Sequence, residues 1–157
     1  MVRPSRSDDF DELYAVAADP ILWEQHPERE RWREDFFRAY FDDHLASGGA
    51  LAVVERRTGE LIGATRYDNH DPKASEVEIG WTFLARPSWG GAYNADLKRV
   101  MFEHAFQSVE TVVFLIGARN LRSRLAVEKL GAIECGARRG MVLYAVRRYQ
   151  AVAADVC

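Results

Sequence analysis

Residues 78–107 read EIGWTFLARPSWGGAYNADLKRVMFEHAFQ, and this stretch decides the fold. Its first part, continuing VEIGWTFL from residue 77, is rich in β formers and predicts a strand. Residues 86–92, with Pro87, Gly90 and Gly91, predict a loop. Beyond it Tyr93, Leu97, Val100, Met101, His104 and Ala105 recur at helical spacing, so a helix runs to about residue 107. Small residues thus stand where a strand turns into a helix. Unpaired N–H groups at a helix start, together with the macrodipole, attract anions. Residues without bulk let a pyrophosphate approach the backbone. Gly90-Gly91 equally fits a plain tight turn. Neither GxxxxGK[ST] nor GxGxxG is present, so an NTPase or dinucleotide reading lacks its motif.

Working outward, TVVFLI at residues 111–116 is apolar on both parities, as in a strand buried on both faces. Asn120 opens a short helix that ends at Lys129-Leu130-Gly131, with Gly131 as C-cap. Residues 133–139 and 141–149 predict a hairpin around Gly140. Upstream, residues 8–18 predict a helix stopped by Asp19-Pro20. ILWEQHP at 21–27 is a connector. Residues 30–47 predict a second helix, with Trp32, Phe36, Phe37, Tyr40, Phe41 and Leu45 on one stripe and Gly48-Gly49 at its end. Residues 50–55 and 61–67 predict a hairpin through Thr58-Gly59, and 69–75 a polar loop. The order is α-α-β-β-β-α-β-α-β-β, an α/β (α+β) chain with a mixed, mostly antiparallel central sheet flanked by helices.

The chain has 157 residues, 48% hydrophobic and 29% charged, enough apolar material for one core. No linker divides it, so residues 1–150 read as a single domain and 151–157 as a small-residue tail. The net charge of −3 disfavours nucleic acid held by its backbone. No apolar run reaches a membrane span, and residues 1–6 lack a signal sequence. Cys135 and Cys157 form no CxxC, which suits a cytoplasmic protein with free thiols. Cys135 reads as a small buried hydrophobe. His26, His44, His70 and His104 show no metal spacing, so no metal is expected.

WGGAYNADLKRVMFEHAF, followed downstream by NLRSRLAVEKLGA, resembles the GCN5-related N-acetyltransferase (GNAT) superfamily, and within it the RimJ/RimL-like branch. The likeness spans about residues 9–149. It implies the GNAT fold and acetyl-CoA as cosubstrate. The backbone of Trp89, Gly90, Gly91 and Ala92 would cradle the pyrophosphate, with Arg86 just upstream and Tyr93 and Asn94 beginning the helix beside it. Asn120 would bond the pantetheine arm. The sheet would splay between the strands at 77–84 and 111–116. Arg119, Arg122 and Arg124 are candidates for the 3′-phosphate, and each is equally a solvated side chain. The family's first strand has only residues 2–5 available here, and Pro4 cannot donate to a ladder. That strand is therefore expected to be short or missing.

The implied chemistry is attack of an amine on a thioester. The ammonium must lose a proton, the oxyanion needs a donor, and the thiolate benefits from an acid. The backbone N–H near Phe83 or Leu84 is the oxyanion candidate by family likeness. Glu76 and Glu78 alternate along one strand, on a face shared with Gly80 and Thr82, with Val77, Ile79, Trp81 and Phe83 opposite in the core. Glu78, nearer the strand centre, is the candidate base; both glutamates equally suit a solvent-facing edge. Many family members place a tyrosine acid where this chain has Val127. Ser123 resembles the serine of RimL-type members and could serve the thiolate or simply the helix's first turn. Trp23, Glu24 and His26 lie in the connector where the family places acceptor residues; a core tryptophan and a structural histidine are the alternatives. The expected acceptor is a primary amine, on a small molecule or a protein N-terminus. A homodimer is left open. A GNAT-fold module that binds or senses the coenzyme without transfer is the competing reading, and an interaction protein without coenzyme a third.

Overall fold

The first strand is present and short. In the computed structural model, which describes residues 1–149, β1 (Val2–Pro4) pairs antiparallel with β2 (Ala50–Val54), Val2 against Val53 and Pro4 against Leu51. Arg3 anchors this edge by donating to both Asp9 carboxylate oxygens at 2.8 and 2.7 Å. That pairing holds the Asp9 carboxyl below its ordinary range. A short 3-10 turn then leads into α1 (Phe10–Ala17). The predicted C-terminal tail lies outside the described residues.

Helix α2 (Glu34–Ala46) starts four residues after its predicted start at 30. Trp32 precedes it, and Trp32 and Phe36 are 37% and 42% exposed, so the predicted stripe contracts to Phe37, Tyr40 and Phe41. Two hairpin strands, β3 (Leu61–Asp71) and β4 (Glu76–Leu84), follow β2. β3 runs further than expected and takes in part of the predicted polar loop. α3 (Tyr93–Ala105) buries Leu97, Lys98, Met101, Phe102 and Ala105, while Tyr93 and Val100 are exposed. The predicted helical face was therefore rotated: the apolar stripe includes a lysine. β5 (Thr111–Ile116), α4 (Leu121–Glu128), β6 (Ile133–Arg138) and β7 (Met141–Arg147) complete the chain. Cys135 is exposed on β6, against the expectation of burial, because β6 is an edge strand whose residues all face solvent.

The sheet order is β1-β2-β3-β4-β5-β7-β6, antiparallel except where β4 meets β5. One core packs α3 and α4 against it through Ile79, Met101, Val112, Phe114 and Tyr144. A second packs α1, α2 and the connector through Leu13, Trp23, Phe37, Phe41 and Phe83. Each such fully buried side chain contributes about 1.5–3 kcal/mol.

Two irregularities in β4 shape the site. β4 and β5 pair only at Glu76, Val77 and Glu78 against Thr111, Val112 and Val113, and then diverge. Within the β3–β4 pair the register slips between Ala64 and Arg66, opposite a bulge at Trp81, whose φ is +52°. A left-handed tryptophan is strained and persists only where its surroundings hold it. Here the Tyr40 hydroxyl donates to the Trp81 carbonyl at 3.0 Å. The Arg66 guanidinium lies 3.6 Å from the Trp81 ring centroid and is itself fixed by Asp43 and Asp68. The extra residue reverses the alternation. Val77 and Ile79 enter the first core and Phe83 the second, so the predicted common face of Glu78 and Thr82 is divided.

Candidate functional site

The divergence of β4 and β5 opens a cleft of about 420 Å³. Its walls come from β4, β5, the residue 21–31 connector and the starts of α3 and α4. Glu78, Trp89, Gly90, Asn94, Asn120, Ser123, Trp23 and His26 all line it, as do the strand residues Phe83 and Leu84.

At one end is the start of α3. Gly90 has φ +72°, a conformation that favours glycine. The Trp89 N–H turns back to Arg86, and Asp96 N–H is the first to close a bond, to Ala92. The amides of residues 90–95 therefore donate to no described backbone acceptor. With the helix dipole behind them, they form a donor set suited to a polyphosphate. Gly91, Ala92 and Tyr93 lie on this exposed turn. The Tyr93 hydroxyl is engaged with Glu55 at 2.5 Å, and Arg86 pairs with Asp19.

The opposite wall is α4. Asn120 caps it, its side-chain oxygen accepting from Ser123 N–H at 3.2 Å. The amide nitrogen of Asn120 remains free to donate among the described residues. Arg122 ties this wall to the connector: its guanidinium stacks 3.9 Å from the Trp89 ring and pairs with Glu24 at 2.5 Å, and its backbone N–H donates to Gln25. Glu24 is thus held on Arg122, outside the cleft lining. Val127 offers an apolar surface to the cleft.

Glu78 is 4% exposed, so the solvent-facing alternative does not hold for it. It accepts from Asn69 Nδ2 at 2.8 Å. Burial raises its carboxyl above the ordinary range, opposed by that hydrogen bond. Glu76 is instead paired with Arg138. Across the β3–β4 pair, Ala85 N–H donates to Ile62; strand alternation turns the Leu84 N–H toward the diverging side. Trp23 is largely a core residue, its indole donating to Ala17 at 2.8 Å and its ring 5.5 Å from Phe83. His26 accepts from Glu28 N–H at 2.9 Å, and burial lowers it to about 4.

Sequence reasoning missed three residues. Lys98 lines the cleft at 3% exposure, donating to Thr82 at 2.7 Å and Thr65 at 3.3 Å, with no carboxylate partner among the described residues. Desolvation lowers it to about 7. A charged residue within the apolar stripe of α3 was the available signal. Gly117 closes the floor: a Cβ there would stand 2.7 Å from Pro27 Cγ. Arg31 faces the cleft from the connector and left no pattern in the sequence.

The sequence model of the acetyltransferase (GNAT) domain matches residues 1–133. Similar solved structures include a provisionally assigned acetyltransferase, 24% identical, covering 99% of this chain and 86% of that one with a TM-score of 0.83. A spermidine N-acetyltransferase from Vibrio cholerae in complex with CoA and spermine is 12% identical, covering 97% of each chain, with a TM-score of 0.73. Mycobacterium smegmatis RimJ in complex with CoA-disulfide is 18% identical, covering 98% and 88%, with a TM-score of 0.69. At these identities the likeness concerns the fold. Comparison with curated proteins gives no match. Among the described residues, no group of His, Cys, Asp and Glu could hold a metal, and no helix is long and apolar enough to cross a membrane.

Proposed function

The chain belongs to the GNAT acetyltransferase family, and from that premise we propose that it transfers an acetyl group from acetyl-CoA to a primary amine by direct attack. The observation that carries this reading is a single cleft joining a row of unengaged helix-start amides to a buried carboxylate. The donor set fits the coenzyme: N–H groups at residues 90–95 for pyrophosphate, and separated strand edges for an extended amide-bearing arm. Bound acetyl-CoA would supply the activated acyl group.

This chain's own residues would do the rest. Residues 89–94, with the Asn120 amide, would hold the coenzyme. Glu78 would accept the proton of the acceptor ammonium, directly or through water; its raised pKa matches that task better than an ordinary carboxylate. The Leu84 N–H would donate to developing negative charge on oxygen. Ser123 Oγ, which bonds no described residue, would donate to sulfur. A coenzyme thiol leaves readily, so proximity in the cleft would supply much of the rate. Trp23 and His26 would border the acceptor. A RimJ/RimL-like place within the family is part of this proposal, supported by the WGG and NLRSRLAVEKLGA segments and by the fold likeness to RimJ.

Val127 favours a second reading, a coenzyme-binding module without transfer, because it puts no proton donor where many relatives have one. Incubation with acetyl-CoA and an amine panel, with thiol release measured beside coenzyme binding by calorimetry, separates the two. Amine-dependent release above the hydrolysis background marks transfer; binding without such release on any amine supports the module; absence of binding overturns both.

A further inference from the structure

Arg31 lies in the connector that leads into α2 and lines the cleft. It stands 4.8 Å from the Tyr40 ring centroid and 5.7 Å from that of Trp23. Among the described residues it enters no ion pair; Glu28 and Asp43 act on it only from beyond pairing distance. Arg33, Arg66 and Arg122 nearby each hold a carboxylate. A half-buried guanidinium with no carboxylate at pairing distance has room for one from a ligand.

The contact between Arg31 and His26 defines what that charge looks like. Its Nη1 lies 3.5 Å from His26 Nε2. The Glu28 backbone N–H donates to His26 Nδ1, so the ring proton of neutral His26 sits on Nε2. The two facing groups are therefore both donors, and neither satisfies the other. A carboxylate, with two oxygens and several lone pairs, satisfies both at once. The Trp23 and Tyr40 rings packed beside the guanidinium lower the local dielectric and strengthen the pairing.

We infer that Arg31 and His26 form a carboxylate subsite, so that the acceptor amine carries a carboxylate of its own. The inference rests on the acetyl-transfer reading for its substrate role but not for the binding site itself. Two sources offer this chemistry: the α-carboxylate of a free amino acid, or an acidic side chain beside a peptide amine. A polyamine offers neither.

Two measurements test it. The first compares thiol release with L-amino acids against their carboxamides, with Asp- and Glu-led dipeptide amides against Asn- and Gln-led ones, and with spermidine. The carboxylate-bearing member of at least one pair is expected to show kcat/KM tenfold or more above its amide. Arg31→Met should remove that preference through KM, with kcat and acetyl-CoA affinity retained, and Arg31→Lys should recover part of it. Equal use of acid and amide, or a spermidine preference, overturns the subsite. The second measurement does not need turnover. Titration with N-acetylglycine should shift the His26 ring resonance in the wild type, and not in Arg31→Met; N-acetylglycinamide should leave it in place. Absence of a shift with N-acetylglycine, or an equal shift with both compounds, overturns the subsite. A positive titration with no thiol release on any amine leaves the subsite standing and overturns the transfer reading.

Discussion

Glu78 and Val113 form the last residue pair joining β4 to β5. One step beyond it the ladder ends, the strands part, and the cleft begins. The candidate base therefore sits at the vertex of the wedge, where pairing fixes its backbone and burial desolvates its carboxyl. Its position is set by the same break in pairing that admits a ligand.

Glu78→Gln keeps the shape and the Asn69 contact while removing the base. We expect kcat to fall by about 100-fold or more, with acetyl-CoA affinity by calorimetry unchanged. In the wild type, activity should decline as pH falls through the raised Glu78 pKa, above the range of an ordinary glutamate, and the variant should lack that limb. Undiminished turnover would remove Glu78 from the chemistry and leave the fold as described.

Gly91 lies on the open turn before α3, where an added Cβ would meet only Tyr93 Cδ2 at 3.9 Å. Gly91→Ala should bind acetyl-CoA nearly as well as the wild type. Gly91→Glu places a negative charge beside the free amides and should weaken binding by about 10-fold or more, an effect that shrinks in high salt. Equal affinities for both variants would remove this turn from the coenzyme site.

Lys98 makes stability depend on pH in a particular direction. Its folded pKa, about 7, lies below the unfolded value, so between pH 7 and the ordinary lysine range the unfolded chain binds more protons. Its burial cost is full below pH 7 and relieved as pH rises. Lys98→Met should thus be more stable than the wild type below pH 7, by about 3–5 kcal/mol, and the gap in denaturant midpoints should close toward pH 10. A gap independent of pH would contradict this.

Gly117 and Pro27 join the strand side of the cleft to the connector. Gly117→Ala forces a Cβ to within 2.7 Å of Pro27 Cγ. The connector must shift, at a cost of about 1–3 kcal/mol, and KM for the amine should rise more than that for acetyl-CoA. Equal changes in both would show that the connector does not border the acceptor.

Much of the fold was legible because it follows from local pattern. TVVFLI gave β5 its bounds, Gly140 marked the last hairpin, and Gly90 with Asn120 marked the two helix starts that line the cleft. What was not legible depends on contacts distant in sequence. The bulge at Trp81 is held by Tyr40 and Arg66, and nothing within residues 77–84 announces that the alternation reverses there. The pairing of Glu24 with Arg122 spans the molecule in the same way. Trp32 and Phe36 matched a helical stripe but lie past the edge of the core, since periodicity identifies a face and not what covers it. Lys98 left a trace in the apolar stripe of α3, whereas Arg31 became visible only when its burial and its lack of an ion pair among the described residues could be seen together.

The most direct measurement is the simultaneous assay of CoA release and acetylated amine, with acetyl-CoA, a panel of primary amines, the wild type and Glu78→Gln. The account predicts at least one amine for which wild-type protein forms thiol and acetylated product in equal amounts, while Glu78→Gln binds acetyl-CoA with wild-type affinity and forms both far more slowly. Tight coenzyme binding with no acetylated amine in any wild-type reaction would contradict it.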